Sequence, residues 1–95
     1  MRTAVPNPTE ADRQAVEEVI HKHENDLPEG VRRIETEYGE DWTGYPTVRL
    51  NFIVSKGAES KEGLIKQVND FNDPLADEII ALRSYWPSVR LVTED

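Results

Sequence analysis

The chain has 95 residues, 19 acidic against 11 basic for a net charge of −8, and no cysteine. A chain of this length makes one domain that buries about two-thirds of its unfolded surface, and the missing cysteines exclude disulfides, thiolate nucleophiles and cysteine-based zinc sites. The charge disfavours nucleic-acid phosphates and anionic lipids, whose binding rests on Lys and Arg, and no apolar run approaches the roughly 20 residues of a membrane-spanning helix.

Residues 1–8 read as a flexible arm, because Pro6 and Pro8 discourage regular structure; they also lack the apolar core of a signal peptide, which favours an intracellular protein. Residues 9–95 read as a single domain with a cytoplasmic location. Thr9 fits a helix N-cap, and Asp12 stands three residues on, at the spacing of a capping box. Ala15, Val16, Val19, Ile20, His23 and Leu27 recur at three- and four-residue spacings and make one apolar stripe. The helix should end near Asn25–Asp26, where Leu27, Pro28, Glu29 and Gly30 turn the chain. His21 and His23 do not form a chelating pair, since residues two apart on a helix point in nearly opposite directions.

Two alternating stretches follow. Ile34, Thr36 and Tyr38 share one strand face, against Arg33, Glu35 and Glu37 on the other. Val48, Leu50, Phe52 and Val54 share the apolar face of the next strand, with Arg49 and Asn51 opposite. Keeping the apolar residues together leaves two antiparallel registers, which set either Glu37 or Glu35 against Arg49. Both predict a carboxylate–guanidinium pair across the outer face. The connection Gly39–Pro46 is too long for a two-residue turn and carries Glu40, Asp41, Trp42 and Tyr45, an acidic and aromatic cluster. Trp42 either contacts a partner or folds back to cap the core beside Tyr38.

Ser60 offers a second N-cap, and Leu64, Val68, Phe71, Leu75, Ile79, Leu82 and Trp86 then step by four or three, widened by Ile65, Ala76 and Ile80. Pro74 interrupts this stripe: either Asp73 caps a fresh helix, or one helix runs through with a kink. A straight helix over 61–84 would be about 36 Å long, against about 26 Å for an eight-residue strand. That overhang argues for a kink near Pro74 or for a partner covering the protruding end. Ser88 to Thr93 predicts a last strand with Val89 and Leu91 on one face, followed by a frayed Glu94–Asp95.

The order α-β-β-α-β gives an α+β, two-layer fold. The right-handed crossover rule makes the last strand parallel to the second, so that two helices cover one face of a three-stranded mixed sheet. The other face bears Arg33, Glu35, Glu37, Arg49, Asn51 and Arg90, with Ile53 and Val92 as seeds for a weak homodimer, for which an exposed strand edge is the other route.

The chemistry is sparse. There is no phosphate-cradling glycine loop, and no serine stands in a histidine pattern. Glu37, Glu40 and Asp41 are the only carboxylates that suggest a Mg²⁺ site, which would serve a hydrolase-like reaction. Splitting the second helix would approach one form of the KH fold. The junction Asp70-Phe71-Asn72-Asp73-Pro74, however, has no glycine with which to clamp nucleic acid.

The segment Gly39-Glu40-Asp41-Trp42-Thr43-Gly44-Tyr45-Pro46, followed by a strand and an amphipathic helix, resembles a group of small uncharacterised bacterial proteins encoded near toxin–antitoxin-like loci. The likeness spans residues 31–84. It departs at Tyr45, where an acidic residue is expected, and at Pro74, where an unbroken helix is. It implies a non-enzymatic accessory or antitoxin-like partner and brings no catalytic residue or cofactor. The expectation is therefore a small acidic protein-binding module. Trp42 and Tyr45 would be its anchors, with Glu40 and Asp41 steering a basic protein.

Overall fold

A computed structural model describes residues 9–57 and 63–94. Its elements are α1 (Glu10–His23), β1 (Val31–Glu40), β2 (Pro46–Ser55), α2 (Leu64–Ala81) and β3 (Trp86–Glu94). A three-residue 3₁₀ turn, Glu24–Asp26, follows α1. The expected arm at 1–8, the Ser60 cap and Asp95 lie outside the described residues.

The sheet runs β1-β2-β3, antiparallel between the first pair and parallel between the second. The apolar alternation decides which face is roofed. Val48, Leu50, Phe52 and Val54 of β2 are all fully buried. They pack with Val16 and Ile20 of α1 and with Leu64, Val68, Leu75 and Ile79 of α2. Both helices thus cover one face, and α+β with the order α-β-β-α-β is what forms.

Thr9 caps α1 as its sequence requires: its side chain accepts from the Asp12 N–H, and its own N–H donates back to Asp12. The start of α2 is different. Gly63 precedes it at φ 90°, and no side chain caps the helix.

One open choice is decided and two expectations are corrected here. First, of the two readings at Pro74 the continuous one forms: α2 passes through it as one 18-residue helix, and no second helix begins at Asp73. Its length is about 27 Å, whereas each ten-residue strand of the hairpin spans about 33 Å. The overhang that argued for a kink or a covering partner does not arise. Second, Trp86 is no part of the helical stripe; it opens β3 opposite Thr47 and is exposed. Third, Glu37 stands opposite Arg49, one of the two expected registers, yet the ion pair does not form. The Glu37 carboxylate accepts from Asn51 Nδ2 at 2.6 Å instead, and Arg49 is left free to line a groove on the open face.

That open face is less open than its polarity suggests. Arg33 and Arg32 of β1 reach across β2 to Glu94 of β3, past Ile53, which is buried. A bulge between Val31 and Arg33 makes room for the double reach. Ile53 is therefore not free to seed a dimer, and Glu94 is a paired strand residue rather than a frayed end.

A second ion cluster joins the helices. Glu78 of α2 takes Lys22 at 2.6 Å and also His23, whose ring meets Phe71 edge-on. Lys22, then His23, holds the Glu78 carboxyl below its ordinary 4.5, and Arg33 does the same for Glu94. A carboxyl lowered by folding contributes stability that is complete above its unfolded pKa and is lost as pH falls through the folded one. Glu78→Gln should therefore be less stable than the parent at neutral pH. The gap between their urea midpoints should close as pH drops below about 4.5. A gap that persists into acid would show that Glu78 acts through packing and not through its charge.

Candidate functional site

The hairpin end is built by one carboxylate. Asp41 Oδ1 accepts from Thr43 N–H at 2.8 Å, Thr43 Oγ1 at 2.6 Å and Tyr45 N–H at 2.9 Å. Backbone bonds close the same loop, Gly44 N–H to Asp41 O and Asp41 N–H to Tyr45 O, each at 2.9 Å. Gly44 takes φ 84°, a conformation that suits glycine. This is a β-turn with Asp first and Gly fourth, and the left-handed glycine returns the chain to the ladder. The expected eight-residue connection is thus contracted to Asp41–Tyr45, because β1 continues to Glu40 and β2 starts at Pro46.

The turn leaves Trp42 at its apex, 96% exposed. It does not fold back against Tyr38; Tyr85 takes that place, its ring 5.0 Å from Tyr38. The Arg13 guanidinium lies 5.0 Å above Tyr38 and donates to the Tyr85 hydroxyl at 3.3 Å. The Tyr38 hydroxyl meets Glu17, and burial followed by that carboxylate pushes its pKa up. Tyr38 and Tyr85 are thereby fixed as the floor of this end of the molecule.

Above that floor, Tyr45, Ile80, Arg83, Tyr85 and Trp86 line a pocket of about 270 Å³. Trp86 is 57% exposed, and Ile80 and Leu82 are also partly open. Arg83 leaves α2 at φ 59°, the one non-glycine left-handed residue among those described. Such a conformation costs a non-glycine residue roughly 1–2 kcal/mol, and this strain sits on the pocket lip. Sequence reasoning missed Trp86 and Arg83. The helical spacing absorbed Trp86 into a stripe, and nothing in one sequence marks a left-handed arginine.

Glu37, Glu40 and Asp41 all border the groove that Arg49 lines, but they are not gathered round one point. Glu37 is on the open face and engaged with Asn51. Glu40 has the parity of the helix-facing residues of β1, and Asp41 Oδ1 is saturated by its own turn. Among the described residues no group of three His, Cys, Asp or Glu side chains is placed to hold a metal ion.

No family model, curated protein or solved structure matches the chain. The resemblance carried by residues 39–46 therefore stands on those loop positions alone. No described helix is long and apolar enough to cross a membrane.

Proposed function

We propose that the chain is a small, non-catalytic cytoplasmic module that binds another protein through its hairpin end. Trp42 and Tyr45 are the anchors, the pocket beneath Tyr45 and Trp86 receives a side chain of the partner, and Glu40 and Asp41 lend negative charge that draws a basic protein. An accessory or antitoxin-like role, as the loop resemblance implies, is one form such binding would take. The observation that carries this reading is an almost fully exposed indole held on a tied turn. An indole this exposed adds nothing to the buried core, while Trp and Tyr dominate interface hot spots. Pre-ordering the turn also lowers the entropy lost on association.

The test is affinity capture from native lysate with parent and Trp42→Ala. The alanine variant should lose retained partner by about tenfold or more, the scale of a hot-spot truncation. Its unfolding midpoint should stay within about 0.5 kcal/mol of the parent. Equal capture by both proteins would remove Trp42 as an anchor, and a large loss of stability would make it a core residue.

A further inference from the structure

The two edges of the sheet are not alike. The β1 edge is guarded by its bulge and by Glu35, Glu37 and Glu40, the devices that keep edges from pairing. Among the described residues the β3 edge is less guarded: it has no bulge, Pro87 stands only at its start, and its charges are one cation, Arg90, and Glu94, which is already paired with Arg32 and Arg33. The Lys56 N–H donates to Glu94 O, which aims the backbone of Glu94 at β2. In a parallel ladder alternate residues aim both groups at the same neighbour, so Ser88, Arg90, Val92 and Glu94 serve β2. Val89, Leu91 and Thr93 then direct their N–H and C=O outward. Beside them lies a mainly apolar groove of about 190 Å³ lined by Ile65, Val68, Val89 and Leu91, with Asn69 and Arg90 at its polar margin; Ile65 is 62% and Val89 40% exposed.

We infer that this edge pairs with a second copy of the chain, β3 against β3 in antiparallel sense, with the two-fold axis at Leu91. The occupant and the register both follow from self-complementarity. An axis at Arg90 would set guanidinium against guanidinium, a destabilising cross-strand pair. An axis at Val92 would pair Leu91 with Thr93 and leave Val89 opposite no described residue. The axis at Leu91 pairs Leu91 with its own copy and Val89 with Thr93, so that all the outward-aimed groups of Val89, Leu91 and Thr93 bond. It also sets Ser88 opposite Glu94 and leaves Arg90 diagonal to the same carboxylate, within reach of a long side chain. The two apolar grooves then meet under the seam. The copies approach along the side that carries Arg90, with Glu94 already held by Arg32 and Arg33, and not along the acidic β1 edge. One strand and one groove fall short of the roughly 1,200–2,000 Å² of a stable interface, so the dimer is a weak one that forms at high concentration. This surface is separate from Trp42, and the inference does not depend on the proposed partner.

Sedimentation velocity of the full chain from micromolar to millimolar concentration tests it. The parent should pass from monomer to dimer. Thr93→Pro should stay monomeric, since it deletes only an outward N–H and an edge strand tolerates proline there. Trp42→Ala should dimerise as the parent does. Because the chain has no cysteine, register can be read by oxidation. A mixture of Val89→Cys and Thr93→Cys chains should form a disulfide-linked dimer that neither variant forms alone. A parent that stays monomeric throughout, or a Thr93→Pro variant that dimerises normally, would overturn the pairing and leave the edge to a foreign strand. Crosslinking of either variant alone, without the mixed product, would overturn the register.

Discussion

Replacing Phe52 by alanine is expected to cost about 3–5 kcal/mol of folding stability, the range for deleting a fully enclosed aromatic ring. Against a total of about 5–15 kcal/mol for a domain, that is enough to leave the chain marginal. The expectation rests on position. Phe52 sits on the central strand between Ile34 and Leu91 and is entirely buried. Its ring meets Phe71 of α2 edge-on at 5.9 Å, and Phe71 in turn meets His23 of α1. Phe52 thus couples β2 to α2 directly and to α1 through Phe71, so the cavity left by alanine would loosen both contacts. Phe52→Leu keeps most of the volume and should cost far less. Guanidinium unfolding of the three proteins checks this. A loss below about 1 kcal/mol for alanine would mean that the layers close over the gap and do not depend on the ring.

What the residues disclosed in advance was whatever repeats. The period of two in Val48–Val54 named the buried face, and the spacing of Leu64, Val68, Leu75 and Ile79 named the helix that roofs it. The apolar register rule narrowed the hairpin to two pairings, one of them real. What stayed hidden was set by single contacts between distant parts of the chain. Arg49 faces Glu37 as the register demands, but Asn51 captures the carboxylate. Ile53 belongs to the polar face by parity, but a bulge lets two arginines reach past it to Glu94. Trp86 continues the helical spacing, yet the left-handed turn at Arg83 ends the helix and hands the tryptophan to β3. At the candidate site, Trp42 and Tyr45 were legible as aromatics in a loop. The pocket was not, because Ile80, Arg83 and Trp86 are far from them in sequence.

Asp41→Ala should damage partner binding nearly as much as loss of Trp42 does, although the indole itself is untouched. Sequence suggests that this carboxylate steers a basic partner. The structure shows one of its oxygens accepting from Thr43 N–H, Thr43 Oγ1 and Tyr45 N–H at once. Hydrogen bonds to a charged group contribute about 1.5–3 kcal/mol where well formed. In an exposed turn the loss should lie near the lower end, and it should fall on local order at the tip more than on the core. An untied tip makes Trp42 lose conformational freedom on binding that it has already lost in the parent. The informative variant is Asp41→Asn, whose amide oxygen can accept the same three bonds without the charge. If Asp41 organises the turn, asparagine should bind nearly as the parent does and alanine should not. If the charge steers, asparagine should slow association to the extent that alanine does, and raising the salt should erase the parent's advantage. Association rates of the three proteins at two ionic strengths separate these outcomes, since a disordered tip weakens binding at any salt concentration.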